Sequence, residues 1–595
     1  MRNFLAATHK RRLLHGCLSS LLVSLPLCAT AVSAQTTPAV QTAPAAQTTP
    51  GAQAAPAAKT AAEWTAGHVI VNPAVHFDRS QPLTAMATMW KPPAPRNRVR
   101  HTTAGGPPST PHEDTAGPPM PKIPEAAAAI EQTTQGTEPA PQLLTSFDGL
   151  GDGFTGPQGP ATGRNPSDNS LAAGPDEIVQ IVNSHMAIYS KQGKTYPTTG
   201  KVLFGAVVTN TLFAGFGGPC EQQVSGDAVV RYDQLAHRWL FVVPIFRRPA
   251  PNAPYAMCYA VSTGPSPLGS YYRYEFTRPL FPDYPRPAIW PNGYYLPTST
   301  GDTVIQKHIC AANRAAMLHG TAASEQCFII DGVNFLNAAD VDGKRLPPHG
   351  MPEVILAAGG TQLHKQYEDD ALYEWLDSID WKHPEHSHLD GPKRIPVAPY
   401  HYLCDGQLSK CVPQPGTTTR LDAQGDKLMQ RLVYRNLGSK QFIVAAHSVD
   451  TSAGGGGVRW YQFQASSDGT LQLAQQGTYA PDDGFRWMPS IAMDRKGDIG
   501  VGYSFGDSST FVGQRFAARL AGDKPGSMTL HESVLADGKA AQTNTLRWED
   551  YTTLAIDPSD DCTFWYVGDY LKAGEDRYST RIGAWRLPGC AAHKP

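Results

Sequence analysis

The chain of 595 residues carries a formal net charge of −2, with 17% charged and 41% hydrophobic residues. It has no basic stripe of the kind that neutralises phosphates, which excludes nucleic acid as the expected partner. Beyond the first thirty-four residues no stretch is long and apolar enough to span a bilayer as a helix.

The chain opens on a three-part export pattern. Arg2, Lys10, Arg11 and Arg12 are a positive start, residues 13–27 are mostly apolar, and Val32, Ser33 and Ala34 form a small-residue cleavage site. Residues 1–34 are therefore expected to be a signal peptide. The mature protein would begin at Gln35 and be secreted, periplasmic or displayed on a bacterial surface. Bulky Leu27 before Cys28 argues against a lipid anchor. Residues 35–59 repeat Ala, Gln, Thr and Pro, a composition that cannot bury a core. The Pro-rich texture continues to about 142, so 35–142 is expected to be a disordered linker or stalk. Patches such as "HVIVNP" leave room for a segment that packs on the main body.

From residue 143 the texture changes. Short runs rich in β-branched and aromatic residues alternate with turn clusters, among them "EIVQIV", "WLFVVPIF", "GVRWYQF" and "TFWYVGDY". "RAAMLHG" and "DALYEWLDSI" each fit a short helix or an irregular strand. One unit recurs: a buried strand, a turn, then an aromatic-rich strand, with anchors at Asp233, Trp290, Asp494 and Asp557. A period near sixty with four strands per unit is that of a propeller blade with long loops. The expected fold is all-β, a β-propeller over 143–590 with about seven blades, six or eight being open, and a tail at 591–595.

Cys17 and Cys28 would leave with the signal. Cys220, Cys258, Cys310, Cys327, Cys404, Cys411, Cys562 and Cys590 remain, an even number that suggests disulfides in an exported chain. Nearest-neighbour pairing is expected, because sequential modules bridge within themselves. A Cys562–Cys590 bond would pin the chain end into the last blade. No Cys-x-x-Cys occurs to suggest zinc.

The segments "FGGPCE" (216–221), "VRYDQLAHRW" (230–239), "YYRYEF" (271–276), "DYP" (283–285), "CVPQPGT" (411–417), "RWMPSIAMDRKGDIGVGYS" (486–504) and "RWEDYTTLAIDPSDDCTFWY" (547–566) resemble those of secreted bacterial proteins described as sialidase-like or BNR-like β-propellers. The resemblance spans roughly 145–590 and implies a propeller. The repeated Asp-box Ser-x-Asp-x-Gly-x-Thr-Trp of true sialidases is missing. Only "SSDGT" at 466–470 approaches it, so sialidase activity itself does not follow.

In a propeller the innermost strands line a channel, and ligands meet loops at one mouth. Asp283 and Asp550 each stand seven residues before an anchor and each precedes a tyrosine, Tyr284 and Tyr551. Asp227 stands six before Asp233, and Trp487 seven before Asp494. Strand alternation would place Arg547, Glu549 and Tyr551 on one face, and Trp548 and Asp550 on the other. Carboxylates from two blades would act as acid and base on a glycosidic bond, and a tyrosine–glutamate pair is a known variant. The candidate catalytic residues are Asp283, Glu549, Asp550 and Tyr551. Candidate substrate contacts are Glu221, Asp227, Tyr284, Trp487 and Trp548. Arg286, Arg486 and Arg547 are candidates for holding a sugar carboxylate.

"HPEHSH" (383–388) lacks a zincin pattern and reads as a polar loop. "AGGGGV" (453–458) lacks the Lys-Ser/Thr of a P-loop and reads as a hairpin tip. "DPSDD" (557–561) reads as an Asp-rich turn that calcium could use; no other cofactor is indicated. Two functions are open: a glycoside hydrolase-like enzyme on extracellular or envelope glycan, or a non-catalytic propeller that binds glycan or a surface protein.

Overall fold

The computed structural model describes residues 64, 66–89, 122–161, 165–248, 253–300, 306–333, 335–360, 367–406 and 410–590. The export signal (1–34), the 35–59 stalk and the 591–595 tail lie outside the described residues.

Among the described residues, seven antiparallel meanders follow one another, two of them joined in one nine-stranded sheet. Their first strands are Ser170–Ala173, Val229–Asp233, Ala288–Trp290, Asn337–Asp342, Leu432–Asn436, Phe485–Met493 and Thr553–Ile556. We number the sheets one to seven by these strands. Each first strand lies beside the next, and that of sheet seven lies beside that of sheet one. The ring is therefore closed, and the molecule is a β-propeller. Between sheets four and five the neighbours pair directly and in parallel, from Ala339 with Leu432 to Asp342 with Arg435.

Closure uses an early strand. Gln142–Asp148 pairs with Ser579–Arg586 and completes sheet seven from outside. Part of the expected linker does the same elsewhere. Ile70–Pro73 adds to the outer strand of sheet three, and His76–Arg79 to that of sheet two. Trp64, Leu83 and Met86 are buried with them.

Because each sheet is covered on both faces, its strands read as apolar runs rather than alternating ones. Arg238–Ile245 and Ile499–Gly506 are buried almost throughout. Aromatic rings fill the wedges between sheets. Trp585 of sheet seven stacks on Phe516 of sheet six at 4.1 Å between centroids. Gly502 leaves the space that Tyr566 occupies: a Cβ there would lie 2.6 Å from the ring.

The repeated anchors hold turns and bind sheets together. Asp233 accepts the N–H groups of Leu235 and Ala236, and pairs with Arg314 of sheet three at 2.7 Å. Asp557 accepts the Ser559 N–H and pairs with Lys191 of sheet one at 2.6 Å. Asp494 accepts the N–H groups of Lys496 and Asp498. These carboxylates point into protein, as turn-holding aspartates do. Arg314–His319 is a short helix capped by Asn313, whereas Ala371–Ser378 is a strand of sheet four.

Four disulfides join nearest neighbours: Cys220–Cys258, Cys310–Cys327, Cys404–Cys411 and Cys562–Cys590. The last ties Cys590, beyond the third strand of sheet seven, to the turn just before its second strand, Thr563–Tyr570. Four such bonds fit an oxidising compartment. Among the described residues no helix is long and apolar enough to cross a membrane.

Candidate functional site

At one end of the channel the backbone repeats an uncommon conformation. Asp168, Asp227, Tyr284, Gln424, Met488 and Asp550 all have positive φ, between 48° and 77°. Each stands within or just ahead of the first strand of its sheet, or in the loop leading to it. Left-handed backbone costs a non-glycine residue about 1–2 kcal/mol, least for Asp and Asn. The turns direct side chains from several sheets toward one mouth.

Four aspartates meet there. The side chains of Asp168 and Asp227 are in hydrogen-bonding contact, as are those of Asp227 and Asp283. Asp550 lies close enough to raise the proton affinity of all three. They come from the entrances of sheets one, two, three and seven. The backbone fixes this meeting: Asp168 donates its N–H to the Glu549 carbonyl at 2.7 Å, and Asn169 to that of Tyr551 at 3.1 Å. Tyr284 reaches across from sheet three and donates its hydroxyl to the Asp550 carbonyl at 2.6 Å.

Asp550 is held by Arg547, whose Nη2 lies 2.6 Å from Oδ2, and by Gln424, which donates at 2.9 Å. Arg547 also pairs through Nε with Asp422 at 2.9 Å. Asn183 donates to Asp168 at 2.5 Å. Asp168 is wholly buried and Asp550 is 9% exposed, while Asp227 and Asp283 are partly open to solvent. The cluster therefore sits at a mouth. Its floor is a buried core that includes Tyr284, Met429, Trp487, Met488, Trp548 and Tyr551. Farther along the channel a cavity of about 30 Å³ is lined by Arg231, Asp340, Asp342 and Arg431, which are paired with one another.

Burial and mutual repulsion set the protonation of the cluster. Burial, then the charges of Asp227 and Asp550, pushes Asp168 well up, and Asp227 is raised by burial, then by Asp283 and Asp550. Asp283 is pushed up to about 6 by burial and then by Asp550. Burial carries Asp422 to about 7 against the pull of Arg547. A carboxyl whose folded pKa is raised favours folding fully only below its unfolded value near 4. That contribution is lost as pH rises through the folded values, here about 6 for Asp283 and 7 for Asp422. The melting temperature is thus expected to fall between mildly acid and mildly alkaline pH. Asp283→Asn with Asp422→Asn should flatten the dependence; an unchanged slope in the double variant would remove these two carboxyls as its source.

Of the residues expected from the sequence, the structure brings Asp227, Asp283, Tyr284, Arg547, Asp550 and Tyr551 together. Glu549 is not with them. Glu549 and Asp550 both have positive φ, at 59° and 77°, so strand alternation does not apply. Glu549 turns between sheets six and seven. There it accepts from Ser504 at 2.7 Å, the Asp569 N–H at 2.7 Å and Gln514 at 3.2 Å. The expected Glu549–Tyr551 face is not formed. Trp548 donates to Ser504 at 3.0 Å beside Trp487, and both indoles are buried. Arg486 is buried away from the mouth on Asp482 and Glu532, at 2.6 and 2.8 Å. Arg286 lies under the Tyr284 ring, 4.2 Å from its centroid, and donates to the Leu336 and Leu428 carbonyls. Glu221 accepts the N–H groups of Gly215 and Gly217 and fixes its own loop.

Asp168, Asn183, Asp422, Gln424 and Lys427 complete the mouth and were not singled out from the sequence. A signal for Asp168 existed: it stands two residues before Ser170, as Asp227 stands two before Val229. The acidic side chains of the 557–561 turn have protein partners. Lys191 takes Asp557, Arg435 takes Asp561, and Asp560 accepts the N–H groups of Cys562 and Thr563. The 383–388 histidines are exposed around a 3-10 turn, Pro384–His386.

No protein-family model and no curated protein matches the sequence. Among solved structures it is similar to a protein of unknown function from Dyadobacter fermentans, at 10% identity over 76% of this chain and 100% of that one, with a TM-score of 0.32. It is similar to an ulvan lyase of polysaccharide lyase family PL25, at 10% identity over 74% and 95%, TM-score 0.37. A subtype N10 neuraminidase-like protein of a little yellow-shouldered bat isolate gives 8% identity over 64% and 100%, TM-score 0.30. Likenesses this distant carry no chemistry across; the ring of sheets described above rests on the chain's own strand pairing.

Proposed function

We propose that the protein is an exported, seven-bladed propeller that cleaves glycan at the aspartate-lined mouth. Asp283 would serve as general acid and Asp550 as the carboxylate working with it. The observation that carries this reading is the convergence, from separate sheets, of carboxyl groups in different surroundings. Asp283 is partly exposed and pushed up to about 6, so it holds its proton at mildly acid pH, where the reaction is expected to run fastest. Asp550 is held by the Arg547 guanidinium and the Gln424 amide. Two carboxyl groups whose environments differ in this way are what acid and base roles require.

The experiment is incubation of the protein with a library of neutral, amino and acidic glycans, read as new reducing or unsaturated ends. Turnover of at least one class is expected. A folded protein that turns over none would overturn the enzymatic reading. The filled floor of Tyr284, Met488, Trp487 and Tyr551 favours a second reading, a glycan-binding propeller without turnover. Binding with no cleavage in the same library would support it.

A further inference from the structure

The mouth is rich in acid and poor in available cation. Five aspartates line it, Asp168, Asp227, Asp283, Asp422 and Asp550. Each nearby cation is either paired or buried out of reach of the opening. Arg547 is divided between Asp422 and Asp550. Lys427 is 1% exposed, on Asp426 at 2.5 Å and the Gln424 side chain at 2.6 Å. Arg286 is buried beneath Tyr284. A sugar carboxylate or sulfate entering here would meet carboxyl groups first and find no guanidinium to receive it.

A second observation points to a ligand. Tyr551 is 1% exposed, and its hydroxyl has no hydrogen-bond partner. The Asn169 N–H donates to the Tyr551 carbonyl at 3.1 Å, which brings Tyr551 beside Asp168, itself wholly buried with Oδ1 lacking a hydrogen-bond partner; burial and then the charges of Asp168 and Asp227 raise the Tyr551 pKa. Its ring is braced edge-on against Tyr284 at 5.3 Å. A buried hydroxyl left unmatched forgoes about 1–3 kcal/mol, and so natural sites rarely leave one without a use. An ammonium group has three donors and no acceptor. Asp168, Asp227 and Asp283 become anionic acceptors as they give up their protons, and the Tyr551 oxygen supplies a neutral one.

We propose that the mouth binds the ammonium group of an amino sugar between Asp168, Asp227, Asp283 and Tyr551, and rejects glycans that carry carboxylate or sulfate there. This rests on the glycan reading above and names its substrate class. Protons held by the crowded carboxyls are displaced to solvent as the ammonium arrives, because one cation replaces them as the neutralising charge.

The test uses the full chain and three oligosaccharides of equal length, titrated by calorimetry at mildly acid pH: a glucosamine oligomer, a neutral cello-oligosaccharide and an oligogalacturonate. The glucosamine oligomer is expected to bind at least tenfold tighter than the neutral one, and the oligogalacturonate not at all. Repeating the titration in buffers of different ionisation heat should show net proton release with the glucosamine oligomer only. Tyr551→Phe, which keeps the ring, should weaken that oligomer several-fold and leave the neutral one unchanged; Asp168→Asn should do the same. Equal affinity for the three, preference for the oligogalacturonate, absence of binding or absence of proton release would each overturn the proposal. The outcomes separate it from the hydrolase reading. Selective binding without turnover keeps this proposal and removes that one, and cleavage of uronates does the reverse.

Discussion

Asp283→Asn is expected to lower turnover by about 10²–10⁴-fold on any glycan the wild type cleaves, the range associated with loss of a positioned general acid. The amide has nearly the volume of the acid and keeps hydrogen-bonding capacity toward Asp227, but it cannot give up a proton to a leaving group. The backbone at this position is fixed independently, since Pro282 and Asp283 pair with Thr300 and Ser299. Removing one of several crowded like charges should also leave the melting temperature at neutral pH unchanged or raised. A variant that is folded and fully active would take Asp283 out of the mechanism. A variant that loses activity together with its fold would show Asp283 to be a structural residue.

The largest loss of stability is expected far from the mouth. Arg278 and Glu325 form a two-pronged pair at 2.5 and 2.6 Å, with side chains 1% and 0% exposed. Glu325 also accepts from Tyr259 at 2.9 Å and from Asn72 at 3.0 Å. One carboxylate thus joins sheet two, sheet three and the early strand Ile70–Pro73. Arg278→Met would leave it buried without a counter-charge, a change that costs about 3–5 kcal/mol. Arg278→Met with Glu325→Leu removes both charges and should recover much of that loss. The measurement is the urea midpoint of the three proteins. A single variant within about 0.5 kcal/mol of wild type would contradict the account, because surface-like changes fall in that range.

The ring was legible in the sequence because its signals are local. Turn aspartates and the aromatic strands that follow them recur at 233, 494 and 557, and apolar runs mark sheets covered on both faces. The cysteine pairs were legible because each bond stays near its own sheet in the chain. Ile70–Pro73 was visible as the apolar patch in "HVIVNP", expected to pack on the main body, whereas the strand pairing of His76–Arg79 was hidden, since four residues in a Pro-rich setting carry little pattern of their own and gain strand character only from the edge they join. The mouth was half legible. Asp227, Asp283 and Asp550 were reached by counting back from the anchors. Asp422 belongs to a two-residue strand, Leu421–Asp422, and Gln424 to the loop after it, before sheet five, with no such anchor beside them. Glu549 was misplaced because alternation along 547–551 presumes a strand, whereas two successive left-handed residues there reverse the direction in which side chains leave the backbone.

The claim beneath these expectations is that acids entering from different sheets share one electrostatic site. A double-mutant cycle between Asp227→Asn and Asp283→Asn, measured as unfolding free energy at neutral pH, tests it directly. Residues in contact show coupling of about 0.5–3 kcal/mol, and that departure from additivity is predicted for this pair. Effects that add within about 0.3 kcal/mol, as for residues without shared partners, would contradict it.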